Sequence, residues 1–156
     1  MTAEWWALAC AVTVAMFLGL VWRARQGRIR VRNTTADTDV ERTVFDQLPQ
    51  EINRTLRERV PAGSEGSQAV TLLQLSTTFC APCRHTRILL AGLAERTEGI
   101  RHVEVDLTHH PDWSTPLGVH TTPTTLALDS TGRELFRFGG VPRRDKLTEV
   151  LRPYLG

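Results

Sequence analysis

The sequence predicts an α/β sandwich with a mixed central sheet, preceded by one N-terminal transmembrane helix. Two observations carry this. From Ala69 onward, short apolar runs and amphipathic stretches follow the order β-α-β-α-β-β-α, which joins parallel crossovers to one terminal hairpin in a layered arrangement. Ahead of it, the eighteen residues from Trp5 to Trp22 carry no charge. The total of 156 residues is the size of one ordinary domain, ~150 residues. The composition, 41% hydrophobic and 23% charged, is that of a globular chain.

The first element is the run WWALACAVTVAMFLGLVW, with Thr13 as its only polar side chain. As a helix rising ~1.5 Å per residue it spans about 27 Å, close to a ~30 Å hydrocarbon core. Three of the four Trp mark its two ends, as expected at membrane interfaces. A cleaved signal peptide would carry basic residues before the run, whereas here Met1, Thr2, Ala3 and Glu4 precede it. Arg23, Arg25, Arg28, Arg30 and Arg32 follow it instead. The positive-inside rule keeps that side cytoplasmic, giving a single-pass cell-membrane protein with its domain inside. The alternative is an extracytoplasmic domain, because large domains translocate regardless of nearby charge. The arginines also suit anionic headgroups, so the lipid bilayer is a predicted partner. Cys10 reads as a small apolar residue of the span.

The same arginines explain the net charge of +2. Beyond residue 32, 14 basic residues face 16 acidic ones. A generally basic nucleic-acid-binding domain is thereby excluded. Three Cys are too few for a disulfide-stapled scaffold.

Residues 33–39 are polar and begin a linker. Over 40–60, Val40, Val44, Phe45, Leu48, Ile52, Leu56 and Val60 recur every three to four positions, a narrow helical stripe. Pro49 interrupts it and suits the first turn of a second helix. The expectation is two short helices, 40–48 and 49–60, or one kinked one, followed by a loop at 61–68. AVTLLQLS (69–76) is a buried strand, and Cys83 to about Arg96 a helix that Gly99 stops. IRHVEVDL (100–107) alternates as a strand does, with one irregularity at His102. Residues 111–118 hold a short helix between Pro111 and Pro116. TTLALD (124–129), the turn DSTG and RELFRF (133–138) form a hairpin. Residues 142–155 form a helix with Pro142 at its start. The chain thus divides into a tail (1–4), a transmembrane helix (5–22), an Arg-rich juxtamembrane segment with linker and N-terminal helices (23–66), and a globular domain (67–156).

The chemistry lies in Cys80-Ala81-Pro82-Cys83, between a buried strand and a helix. At a helix N-terminus, unpaired N–H groups and the helix dipole stabilise an anion. That lowers the pKa of the Cys80 thiol, and the thiolate is the nucleophile. Pro82 fixes the first turn without removing a bonded N–H. Cys83, one turn on, is placed to close a disulfide, so the spacing suits attack by Cys80 and resolution by Cys83. Zinc would require four ligands, and no His is ligand-spaced to complete the set. Cu(I) or Zn(II) held by the two thiolates remains as a binding-module alternative to enzyme chemistry. A c-type haem site needs His directly after the second Cys, and Arg84 stands there.

Three stretches now resemble the thioredoxin family: STTFCAPCRHTR (76–87), VEVDLTHHPD (103–112) and LGVHTTPTTLALDSTGRELFRFGG (117–140). The resemblance runs from about Ala69 to the C-terminus. It implies a thioredoxin-like three-layer sandwich in which Pro123 is cis and packs against the cysteine pair. The backbone of Thr122 would then pair with an extended substrate, so Thr122 and Pro123 shape the substrate groove. Gly132, Gly139 and Asp106 also fit the family pattern. The departures are as informative. Phe79 replaces the family's Trp, Ala81 its Gly and Arg84 its Lys, and with Pro82 these residues tune access and thiolate stability. Gln74 stands where members often bury an Asp, and it cannot do acid–base work. His102 stands where a Lys is common, either as a half-buried strand histidine or as a proton-transfer group. Ile88 replaces a helix-kinking Pro, and residues 33–66 do not clearly match the family's first strand and helix.

The expectation is therefore a specialised, membrane-tethered thiol–disulfide oxidoreductase. It needs no small-molecule cofactor, since electrons pass through the Cys80–Cys83 disulfide itself, and no metal. Its partners are protein thiols and disulfides and an upstream reductant or oxidant protein.

Overall fold

The structure, a computed structural model, describes residues 3–25, 29–31, 44, 48–59 and 70–155, with side chains at 5–21, 44, 48–58 and 70–155. The elements are α1 (Ala3–Arg25), β1 (Ile29–Val31), α2 (Gln50–Arg59), β2 (Val70–Ser76), α3 (Ala81–Arg96), β3 (Ile100–Asp106), β4 (Thr124–Leu128), β5 (Glu134–Gly139) and α4 (Arg144–Leu151). Short 3-10 turns lie at Pro111–Trp113 and Arg152–Tyr154.

The sheet has the order β1-β5-β4-β2-β3. β2 and β3 are parallel, and the other neighbours are antiparallel. The sheet is mixed because α3 returns the chain across its face to a parallel neighbour, while a tight turn joins β4 to β5. That turn is held by Asp129, whose Oδ1 accepts from the Thr131 and Arg133 N–H groups at 2.9 and 3.0 Å.

Alternation along the strands divides the core in two. Leu73, Leu75, Val105, Leu126 and Leu128 face Leu48, Ile52 and Leu56 around α2, together with Trp113 and Leu117. Leu72, Ala127, Phe136 and Phe138 face Leu90 and Leu93 of α3 and Leu147 and Leu151 of α4. The result is three layers: α2, the sheet, then α3 with α4. All seven residues of β2 are buried, as its unbroken apolar run requires of a strand covered on both faces.

Two sequence-based boundaries move. The core reaches upstream of residue 67, since Leu56 is fully buried within it, and β1 adds an edge strand at 29–31. The α-helix expected over 142–155 ends at Leu151 and continues as a 3-10 turn. Pro153 lacks the N–H that the next α-helical bond requires. Most of the helix expected at 40–48 lies outside the described residues. The expected membrane span at 5–22 falls within α1, whose residues Trp5 to Leu20 are all exposed. Among the described residues, however, no helix is long and apolar enough to cross a membrane.

Candidate active site

β2 delivers the chain to the cysteine pair. After Ser76, a three-residue turn leads to Cys80, the N-cap of α3. Its Sγ accepts a hydrogen bond from the Cys83 N–H at 3.1 Å. Its carbonyl oxygen accepts from the N–H groups of Cys83 and Arg84 at 3.1 and 3.3 Å. A thiolate at this position meets a first-turn N–H and the positive end of the helix dipole. Cys80 and Cys83 are joined as a disulfide, with Cα atoms 5.2 Å apart. The two sulfurs are not equivalent. Cys80 is half-buried whereas Cys83 is 1% exposed. An incoming sulfur therefore meets Cys80, and Cys83 is left to resolve the mixed disulfide.

The loop before β4 reaches the turn that leads to Cys80. The Thr122–Pro123 bond is cis and Pro123 is buried. The Thr122 and Thr77 hydroxyls lie 3.4 Å apart, which ties this loop to the turn before Cys80. Gly140 N–H donates to the Pro123 carbonyl at 2.7 Å, and Thr124 Oγ1 donates to the Thr121 carbonyl at 2.6 Å. Thr122 thus meets the turn that precedes Cys80, and Pro123 follows it in the cis bond.

Phe79, 99% exposed, stands between two surface grooves. One, of about 560 Å³, includes Cys80, Ala81, Arg84 and Asp106; the other, of about 330 Å³, includes Leu107, Pro111 and Thr122. Asp106 accepts from Thr78 Oγ1 at 3.1 Å and from Thr108 N–H at 2.8 Å. The hydrogen bonds from Thr108 hold its carboxyl below the usual carboxylate range. Ala81, Pro82 and Arg84 are exposed on the first turn of α3, open to whatever approaches Cys80.

Beneath the pair lies a polar cluster that sequence reasoning grasped only in part. Gln74 is fully buried. Its Nε2 donates to the Cys83 carbonyl at 3.0 Å and to Glu104 Oε1 at 3.3 Å. Its Oε1 lies 3.1 Å from His102 Nε2, so with both amide hydrogens engaged, His102 is the donor there. Glu104 also accepts from Ser76 Oγ at 2.7 Å and pairs with Arg87 Nε at 2.6 Å. Burial lowers the pKa of His102, outweighing the raising effect of Glu104, with Arg87 lowering it further. His102 is half-buried and lies two residues along β3 from Glu104, the residue paired with Gln74. The carboxylate bonded to Gln74 belongs to Glu104. Sequence alternation placed Glu104 on the face opposite Val103 and Val105, but only the register Gln74↔Glu104 reveals that this face lies under α3.

Among the described residues, no group of three His, Cys, Asp or Glu side chains is arranged to hold a metal ion. The arrangement can perform thiol–disulfide exchange: an accessible sulfur at a helix N-terminus and a shielded second sulfur one turn on.

The sequence profile of the family described as Thioredoxin matches residues 54–153. Thioredoxins of Listeria monocytogenes and Listeria innocua are each 28% identical over 92 residues, covering 58% of this chain and 88% of theirs. The solved thioredoxin NaTrxh of Nicotiana alata aligns with a TM-score of 0.54 at 17% identity, over 70% of this chain and 90% of its own. The thioredoxin of Fasciola hepatica aligns at 0.51 and 19%, over 67% and 91%. A mixed sheet between helical layers, carrying a Cys pair at the N-terminus of α3, defines a thiol–disulfide oxidoreductase. This chain belongs to the thioredoxin family.

Proposed function

We propose that the protein is a membrane-tethered member of this family that reduces or exchanges protein disulfides through Cys80 and Cys83. The Cys80 thiolate attacks a substrate disulfide, forming a mixed disulfide and releasing one substrate thiolate. Cys83, once deprotonated, attacks the Cys80 sulfur and releases the second. The substrate gains two electrons and two protons, and the pair becomes the disulfide that an upstream dithiol protein must reduce. Run backwards, the same steps oxidise a substrate. Thr122 and Pro123 line the groove in which an extended substrate lies. Phe79, Ala81, Pro82 and Arg84 tune its access to Cys80. The electrons need no small-molecule cofactor.

The asymmetry of the two sulfurs carries the catalytic reading. The full chain in detergent, supplied with dithiothreitol, should reduce insulin disulfides, and Cys80→Ser should abolish this. Cys83→Ser should accumulate mixed disulfides on Cys80. Turnover that survives loss of Cys80 would refute the assignment.

The tether rests on the uncharged run Trp5–Trp22 and on the apolar side chains that α1 exposes all round, Trp5, Leu8, Val12, Met16 and Phe17 among them. A helix with no polar face has to bury its surface in protein or lipid. The arginines after it favour a cytoplasmic domain. A single Cys introduced at Ser64, with Cys80 and Cys83 replaced by Ser, should resist membrane-impermeant thiol reagents in intact cells. Efficient labelling would move the domain to the other side, where oxidation or maturation of exported proteins becomes the expected work.

A further inference from the structure

We infer that the tether holds the redox pair at the bilayer surface, and that its substrates are disulfides carried by membrane proteins close to that surface. This rests on the tethered reading above and goes beyond it by naming the substrate class. The observation is the direction of β1. β2 runs toward the cysteines and ends at Ser76. β4 is antiparallel to β2 and so starts at that end, directly after cis-Pro123. β5 is antiparallel to β4 and finishes there, with Gly139 opposite Thr124. β1 is antiparallel to β5, with Ile29 opposite Phe138. The first residue of β1 is therefore at the cysteine-bearing end of the sheet.

Three residues separate Arg25, the last of α1, from Ile29. Four Cα steps reach at most ~14 Å. Across the sheet order, β1 is two strand spacings from β4, ~10 Å, and three from β2, ~14 Å. The end of α1 thus lies within about 25 Å of the cis-Pro loop and about 30 Å of the end of β2. With β1 reversed, the chain would join opposite Phe136 rather than Phe138, and two residue steps, about 7 Å, would be added.

A short tether makes an encounter with another membrane-borne group effectively intramolecular in the plane of the bilayer. A freely diffusing substrate gains nothing from it. The attachment at the cysteine-bearing end therefore favours disulfides near the lipid and disfavours those carried far above it.

The test uses the full chain in phosphatidylcholine/phosphatidylglycerol vesicles, with dithiothreitol as reductant. One probe is a single-span helix with a disulfide loop within about ten residues of the lipid. A second carries the same loop on a long flexible spacer, and insulin serves as the soluble substrate. The near probe should be reduced on the order of 10-fold faster than the far one. Insertion of 24 Gly/Ser residues between Arg25 and Ile29 should erase that preference while leaving insulin reduction, the control for folding, unchanged. Vesicle flotation separates the failures. A chain that does not float with lipid overturns the tether and this inference together. A chain that floats, but whose near-to-far ratio is the same before and after lengthening, overturns this inference alone.

Discussion

At the scale of single residues, the polar cluster under the cysteines offers the sharpest tests. Gln74 links the Cys83 carbonyl to Glu104 and His102. Gln74→Leu keeps roughly the volume but leaves a carbonyl and a carboxylate without that donor. It should cost about 1–3 kcal/mol, read from the urea midpoint. The hydroxyl of Thr125 is buried without a hydrogen-bond partner. Thr125→Val removes it at similar shape and should raise stability by about 1 kcal/mol. His102 gives a pH dependence. Its folded pKa is lowered from the ordinary imidazole value, first by burial, so the unfolded chain binds the proton more readily. Stability should therefore fall as pH drops through the unfolded pKa, and rise again above it. His102→Asn should flatten that slope in urea titrations taken between mildly acidic and neutral pH; an unchanged slope would clear His102 of the effect. The cysteines were legible in the sequence because a Cys pair at a strand–helix junction is a local pattern, whereas the cis bond at Pro123 was implied by the family resemblance. Glu104 was not legible, because its role depends on a strand 30 positions away.

At the scale of elements, α2 decides where the domain begins. Its apolar stripe was readable from spacing, but its partner was not. In the fold, Ile52 and Leu56 pack with Leu73, Leu126 and Trp113 on the face away from α3. Leu56→Ala should cost about 2–5 kcal/mol, as a fully buried leucine does when a cavity replaces it. Thermal melting of the full chain measures this, and a loss below about 0.5 kcal/mol would mean α2 is peripheral. α3 shows the opposite balance. Its start is fixed by Cys80 as N-cap and by Pro82 in the first turn, both visible in the sequence. Helical spacing pointed inward with Ile88, Leu89, Leu90, Leu93 and Ala94; Leu90 and Leu93 are buried, but Ile88 is 67% exposed and Cys83 and Thr86 complete the buried face instead.

At the scale of the whole molecule, the sheet order turns local patterns into a site. From β2 onward, runs of alternating or unbroken apolar residues marked the strands and helices in the right order, since side-chain periodicity is a property of neighbours in sequence, but they did not reveal β1. The redox pair was equally local, because its reactivity comes from two sulfurs one helical turn apart at a helix N-terminus. Register and strand direction are not local. They arise when distant segments bury complementary faces and pair their backbone groups. That pairing joined β1 to β5, set Glu104 beside Gln74, and carried the chain leaving α1 to the cysteine-bearing end of the sheet. The sequence by itself determined the kind of chemistry and the layers that support it. Only the tertiary structure decided which carboxylate lies beneath the cysteines and at which end of the domain the N-terminal helix is attached.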